Sequence, residues 1–160
     1  KILHLATHGL VDPAQPMDSA LAFATPVAIP ASGIQKNGEH TAISENGFLQ
    51  VWEIFQDLRV DADLVVLSAC DTGLGKTLGG EGVMGLSRAF QYAGARSLLV
   101  SLWPVPDDSS ALLMKHFYAR LQAGDAKDEA LAQAQRTLRA TPGFEHPHHW
   151  AAFFLIGPPR

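Results

Sequence analysis

Leu64-Val65-Val66-Leu67-Ser68-Ala69-Cys70-Asp71-Thr72-Gly73 decides how this chain is to be read. Four branched apolar residues run without polar alternation, the pattern of a strand buried on both faces of a parallel sheet. Two small residues follow, then the only cysteine of the chain, then acidic, hydroxyl and glycine residues. In open α/β sheets, chemistry collects outside the carboxyl ends of such strands. Cys70 is therefore a candidate nucleophile at a strand tip. The competing reading is a free cysteine packed as a small apolar residue. The polar neighbours Asp71, Thr72 and Gly73 argue against burial.

Downstream, Gly73 to Gly80 form a glycine-rich loop and a helix is predicted from Glu81. Its apolar face is Val83, Leu86, Phe90 and Ala93, and Gly94 serves as C-terminal cap. Arg96 to Trp103 reads as the next buried strand, so strand, helix and strand make a parallel crossover. Pro104 and Pro106 end that strand. Asp107, Asp108 and Ser109 can cap a helix running through Leu113, Phe117 and Leu121. Gly124-Asp125 separates it from a second helix carrying Leu131, Ala134 and Leu138, which Pro142-Gly143 stops. Trp150 to Ile156 reads as a last strand.

Upstream, Ile2, Leu3, Leu5 and Ala6 form a strand that runs into Thr7-His8-Gly9, with Gly9 allowing a tight turn. Ala20 to Thr25 is a further strand, Pro26 to Glu45 a long loop, and Gly47 to Phe55 a turn followed by a short helix. The chain has 160 residues, 47% of them hydrophobic, which fits a single domain with a real core. A formal net charge of −4 gives no basic face for nucleic acid. One cysteine excludes an internal disulfide framework and suits a reducing, cytoplasmic setting. No run is long enough to span a membrane. With no initiating methionine and a strand at its first residues, the chain reads as a piece of a longer protein.

If the strands ending at His8 and Cys70 are parallel neighbours, both side chains meet at one sheet edge. An imidazole can then generate or hold the thiolate. The backbone N–H groups of Gly9 and Cys70 can receive the oxyanion of an acyl-transfer intermediate. Two rivals compete. Gly75-Lys76-Thr77 after a strand is a near miss to a P-loop, but the first glycine of that motif would fall on Cys70. The predicted helix also starts at Glu81 rather than at Lys76, so its N-terminus is not placed on a phosphate. His146, His148 and His149 cluster in sequence, yet their spacing fits no helical ligand face, and they read as a loop. No metal or other cofactor is expected. His4 and His116 fall inside apolar patterns and read as packed or surface-lying.

Several motifs in order resemble the CHAT domain, a caspase-like, separase-related cysteine peptidase family often found after tetratricopeptide repeats in bacterial proteins. They are Leu5-Ala6-Thr7-His8-Gly9, Leu67 to Gly73, Gly80-Glu81-Gly82-Val83, Ala93 to Ser97, Ser101-Leu102-Trp103-Pro104-Val105 and His149-Trp150-Ala151. The resemblance implies an α/β caspase-like fold with a mostly parallel central sheet flanked by helices. The N-terminal strands of that sheet would lie before Lys1, so residues 1–160 would be the C-terminal portion of the domain. It implies a catalytic pair at His8 and Cys70, and a protein or peptide substrate cleaved by an endopeptidase. The same fold also serves as a non-catalytic scaffold or interaction module. The N-terminal repeat region of the same parent protein is the expected partner. Substrate contacts are expected at Asp71, Trp103 and Asp107. The acidic residues there favour Arg or Lys before the cut, whereas on the other reading Asp107 only caps its helix.

Overall fold

A computed structural model describes residues 1–10, 12, 14–24, 47–68 and 81–160, with residues 81–83 described for their backbone only. The calls on Cys70, Asp71, the glycine-rich loop and the Pro26–Glu45 segment lie outside the described residues. The principal sheet has the order β1 (Ile2–Leu5), β5 (Leu64–Leu67), β6 (Leu98–Ser101) and β7 (Phe153–Ile156). β1, β5 and β6 are parallel, and β7 runs antiparallel against β6.

All four residues of β5 are buried, as are all four of β6. The pleat explains the unbroken apolar run, because alternate residues serve opposite faces. Val65, Leu67, Leu98 and Val100 meet α1 (Val51–Gln56) and α2 (Glu81–Tyr92) through Ile54, Leu86, Ala89 and Phe90. Leu64, Val66, Leu99 and Phe153 meet α3 (Asp107–Gln122) and α4 (Lys127–Arg139) through Leu113, Phe117, Ala134 and Leu138. The result is a mixed α/β architecture, helices covering both faces of a mostly parallel sheet. Each fully buried Val, Leu or Phe in it stabilises by about 2 kcal/mol.

A second, antiparallel sheet joins β2 (His8–Leu10), β3 (Ala20–Ala22) and β4 (Phe48–Gln50). Its inner residues Leu21 and Leu49 enter the α1/α2 side of the core. Here the structure corrects the sequence reading. The strand expected to run straight into His8 ends at Leu5, and His8 opens a different strand paired with Ala22. Thr7 Oγ1 donates to the Ala22 carbonyl and fixes the step between the sheets. Gly9 is thus a buried strand residue opposite Leu21, not the centre of a turn.

Other boundaries shift for similar reasons. Phe48–Gln50 is a strand because it finds β3, entered through Gly47 at φ 79°. Glu53 Oε2 then accepts the Gln50 N–H at 2.7 Å and starts α1. The last strand begins only at Phe153, after a 3₁₀ turn at Pro147–His149. Gly94 closes α2 at φ 115°, where a Cβ would collide with the Val60 carbonyl oxygen. Lys127 is a buried cation that tethers α4, its Nζ 3.3 Å from Ser97 Oγ and 3.4 Å from the Pro158 carbonyl. Among the described residues no helix is long and apolar enough to cross a membrane.

Candidate active site

β1 and β5 are the parallel neighbours that the His/Cys pairing requires. Leu5 is in register with Leu67, and the Ser68 N–H continues the ladder by donating to the Leu5 carbonyl at 3.1 Å. Both chains leave the sheet at this edge. His8 stands three positions beyond Leu5, and by sequence count Cys70 stands three beyond Leu67.

A cavity of about 330 Å³ opens at this carboxyl edge. Its sheet side is His4, Ala6, Thr7, His8 and Ser68; its other wall is Asp107, Ser110, Ala111 and Met114 of α3. Those four positions are spaced three, one and three apart, which puts them on one helical face. The cavity therefore gathers two histidines, a carboxylate, a threonine and two serines beside a small apolar surface.

The start of α3 decides what Asp107 can do. The N-cap is Pro106, with no side-chain cap bond. Asp108 Oδ1 accepts the Ser109 N–H at 2.7 Å, and Ser109 Oγ donates to the Pro106 carbonyl at 2.9 Å. Of the three residues expected to cap the helix, Asp108 and Ser109 occupy its backbone groups. Asp107 instead borders the cavity, exposed at its rim.

His4 lies on the exposed side of β1, its ring packed against Tyr118 and its Nδ1 2.8 Å from the Tyr118 hydroxyl. Burial lowers the basicity of His4, and burial pushes the Tyr118 phenol up to about 12. Both effects favour the uncharged pair, of which His4 lines the cavity.

Trp103 lies apart from this cavity. Its Nε1 donates to the His148 carbonyl at 3.1 Å, and its ring stacks on His148 with centroids 6.5 Å apart. His149 Nδ1 lies 3.2 Å from Ser109 Oγ, and His146 Nδ1 accepts the His148 N–H at 3.2 Å. The C-terminal histidines thus brace the strand tip after β6 and the start of α3. Among the described residues no group of three His, Cys, Asp or Glu is placed to hold a metal ion.

The sequence reading missed Ser110 and gave His4 no place in the site. A sequence signal existed for the first: Asp107, Ser110 and Ala111 interrupt the apolar pattern of α3 on the face that Met114 continues.

Residues 1–158 match the family model described as CHAT domain. Tetratricopeptide repeat protein 28 of Mus musculus is 40% identical over 101 residues, 63% of this chain and 4% of that protein. The Homo sapiens protein of the same name is 41% identical over 101 residues, with the same coverage. The chain thus matches only a small part of the length of these relatives.

Proposed function

Because the chain belongs to the CHAT domain family, which is caspase-like, we propose that it is a cysteine endopeptidase domain with His8 and Cys70 as its dyad. The observation that carries this reading is the parallel pairing of β1 with β5, with Leu5 opposite Leu67. It brings two chains out of the sheet side by side, one bearing the imidazole and the other leading to the thiol.

In this mechanism the Cys70 thiolate attacks the scissile carbonyl carbon and the carbonyl π pair moves to oxygen. The N–H groups of Gly9 and Cys70 hold the resulting oxyanion. Collapse of the tetrahedral species expels the amine, which takes a proton from the His8 imidazolium. Water, deprotonated by His8, then releases the acyl group from sulfur. Asp71, Trp103 and Asp107 contribute to holding the substrate, Trp103 through the braced strand tip after β6. The substrates are proteins, and the repeat region of a larger parent protein regulates access. The setting is cytoplasmic.

A thiol-selective probe titrated against pH tests the dyad. Cys70 should react well below the ordinary thiol pKa of about 8.5, and His8→Ala should return its reactivity to that value. The same profile with and without His8 would favour a non-catalytic interaction module of the same fold.

Asp107 at the cavity rim gives a preference for Arg or Lys before the cut, by charge pairing with an exposed carboxylate. A peptide library should show that preference, and Asp107→Ala should lower cleavage after basic residues by about tenfold. A profile without basic preference, or one unmoved by the substitution, removes this role.

A further inference from the structure

Between β6 and the first turn of α3 the chain carries both Trp103 and Asp107, which the reading above gives to the substrate. Two adjacent residues of the 3₁₀ turn Pro147–His149 hold the two ends of this stretch. The His148 carbonyl accepts the Trp103 Nε1–H at 3.1 Å, and the His148 ring stacks on the indole. At the other end, His149 Nδ1 stands 3.2 Å from Ser109 Oγ. Which atom donates there follows from the second partner of Ser109. Its Oγ is also 2.9 Å from the Pro106 carbonyl oxygen, and two oxygens that close repel unless a proton lies between them. A serine hydroxyl has one proton, so the Pro106 contact takes it and His149 donates from Nδ1. The neutral ring is therefore the Nδ1–H tautomer, with its lone pair on Nε2. The turn is itself braced: Phe144 meets the His149 ring edge to face, with centroids 5.4 Å apart, and His146 Nδ1 accepts the His148 N–H.

Resting on the peptidase reading above, we propose that His149 is a positioning residue. Donating from Nδ1 to Ser109, it holds the first turn of α3, and with it Asp107 and the cavity wall, at a set distance from Trp103. Ser109 is fully buried, while Asp107, two residues earlier in the same turn, is exposed at the cavity rim. A tether on Ser109 thus acts on Asp107 through the backbone of one helical turn. Ser109 is buried and His149 only partly exposed, so water competes weakly for this bond. His149 is not among the described residues that line the cavity, and it acts through α3 rather than on the substrate. The neighbouring His148 does the same for Trp103, so one short turn fixes the spacing of both contacts.

The test combines NMR of the full chain with peptide kinetics. Imidazole nitrogen NMR should place the proton of neutral His149 on Nδ1. The methyl signal of Ala111, on the α3 wall of the cavity, should move in His149→Ala and in His149→Phe, which keeps a ring against Phe144 but removes the donor. On cleavable peptides both variants should raise KM about fivefold at unchanged kcat. His149→Asn, whose amide nitrogen can donate from nearly the same place, should keep the parent KM and the parent Ala111 signal. A proton on Nε2, an Ala111 signal unmoved by losing the donor, a fall in kcat at unchanged KM, or an equal loss in His149→Asn would overturn the proposal. If no variant and no parent chain cleaves any peptide, the NMR measurements still decide the proposal, and only the peptidase reading falls.

Discussion

On the proposed mechanism, Cys70→Ala and His8→Ala should each abolish peptide-bond cleavage, lowering kcat/KM by about 10⁴-fold or more, while the far-ultraviolet circular dichroism stays that of the parent. The size follows from the division of labour. Without the thiol no acyl-enzyme forms, and without the imidazole the amine leaves as a poor, unprotonated group. The two residues act as a unit, so the double substitution should be no worse than either single one. His8 is exposed at the start of β2, so its truncation removes little packing. Steady-state assays of the intact protein on a cleavable protein substrate measure all three variants. Robust turnover by Cys70→Ala would end the proposed mechanism.

Phe117→Ala should cost about 4 kcal/mol of folding stability, read from the midpoint of urea unfolding at unchanged slope. Phe117 is fully buried and belongs to the cluster that seats α3 on Leu64, Val66 and Leu99. Its ring also lies 5.5 Å from Tyr118, the partner of His4. Deleting it leaves a cavity in the layer that holds one wall of the candidate site. A loss below about 1 kcal/mol would mean that α3 repacks, and that its stripe of cavity residues is less firmly held than the structure implies.

The core of the fold was legible wherever local chemistry and tertiary placement agreed. Leu64 to Leu67 could only be a strand covered on both sides, and the helices from Glu81, Asp107 and Lys127 carry periodic apolar faces between glycine and proline stops. The break after Leu5 was not legible. Ile2 to Ala6 is one apolar run, and what ends the strand is the pairing of His8 with Ala22, fourteen residues on in sequence. The same holds for Phe48–Gln50, whose strand character comes from β3. At the candidate site, a polar residue beside an apolar run singled out His8, which lines the cavity. Asp107 could not be separated from a capping role until Asp108 and Ser109 were seen to fill it. Ser110 gave the weakest signal. A serine in a helix is unremarkable in sequence, and its hydroxyl is left buried, without a partner among the described residues, only by the way α3 packs.

The register of Leu5 with Leu67 also sets how this domain can tolerate changes of length. On the proposed mechanism the imidazole and the thiol keep step by counting three residues from two paired leucines. One residue gained or lost in either link would advance one group against the other by up to about 3.3 Å. A misplacement of about 1 Å already costs about a hundredfold in rate. Insertions and deletions within these two short links should therefore be far less tolerated than substitutions, and a compensating change in the other link would not restore the geometry, since Thr7 ties the first of them to Ala22.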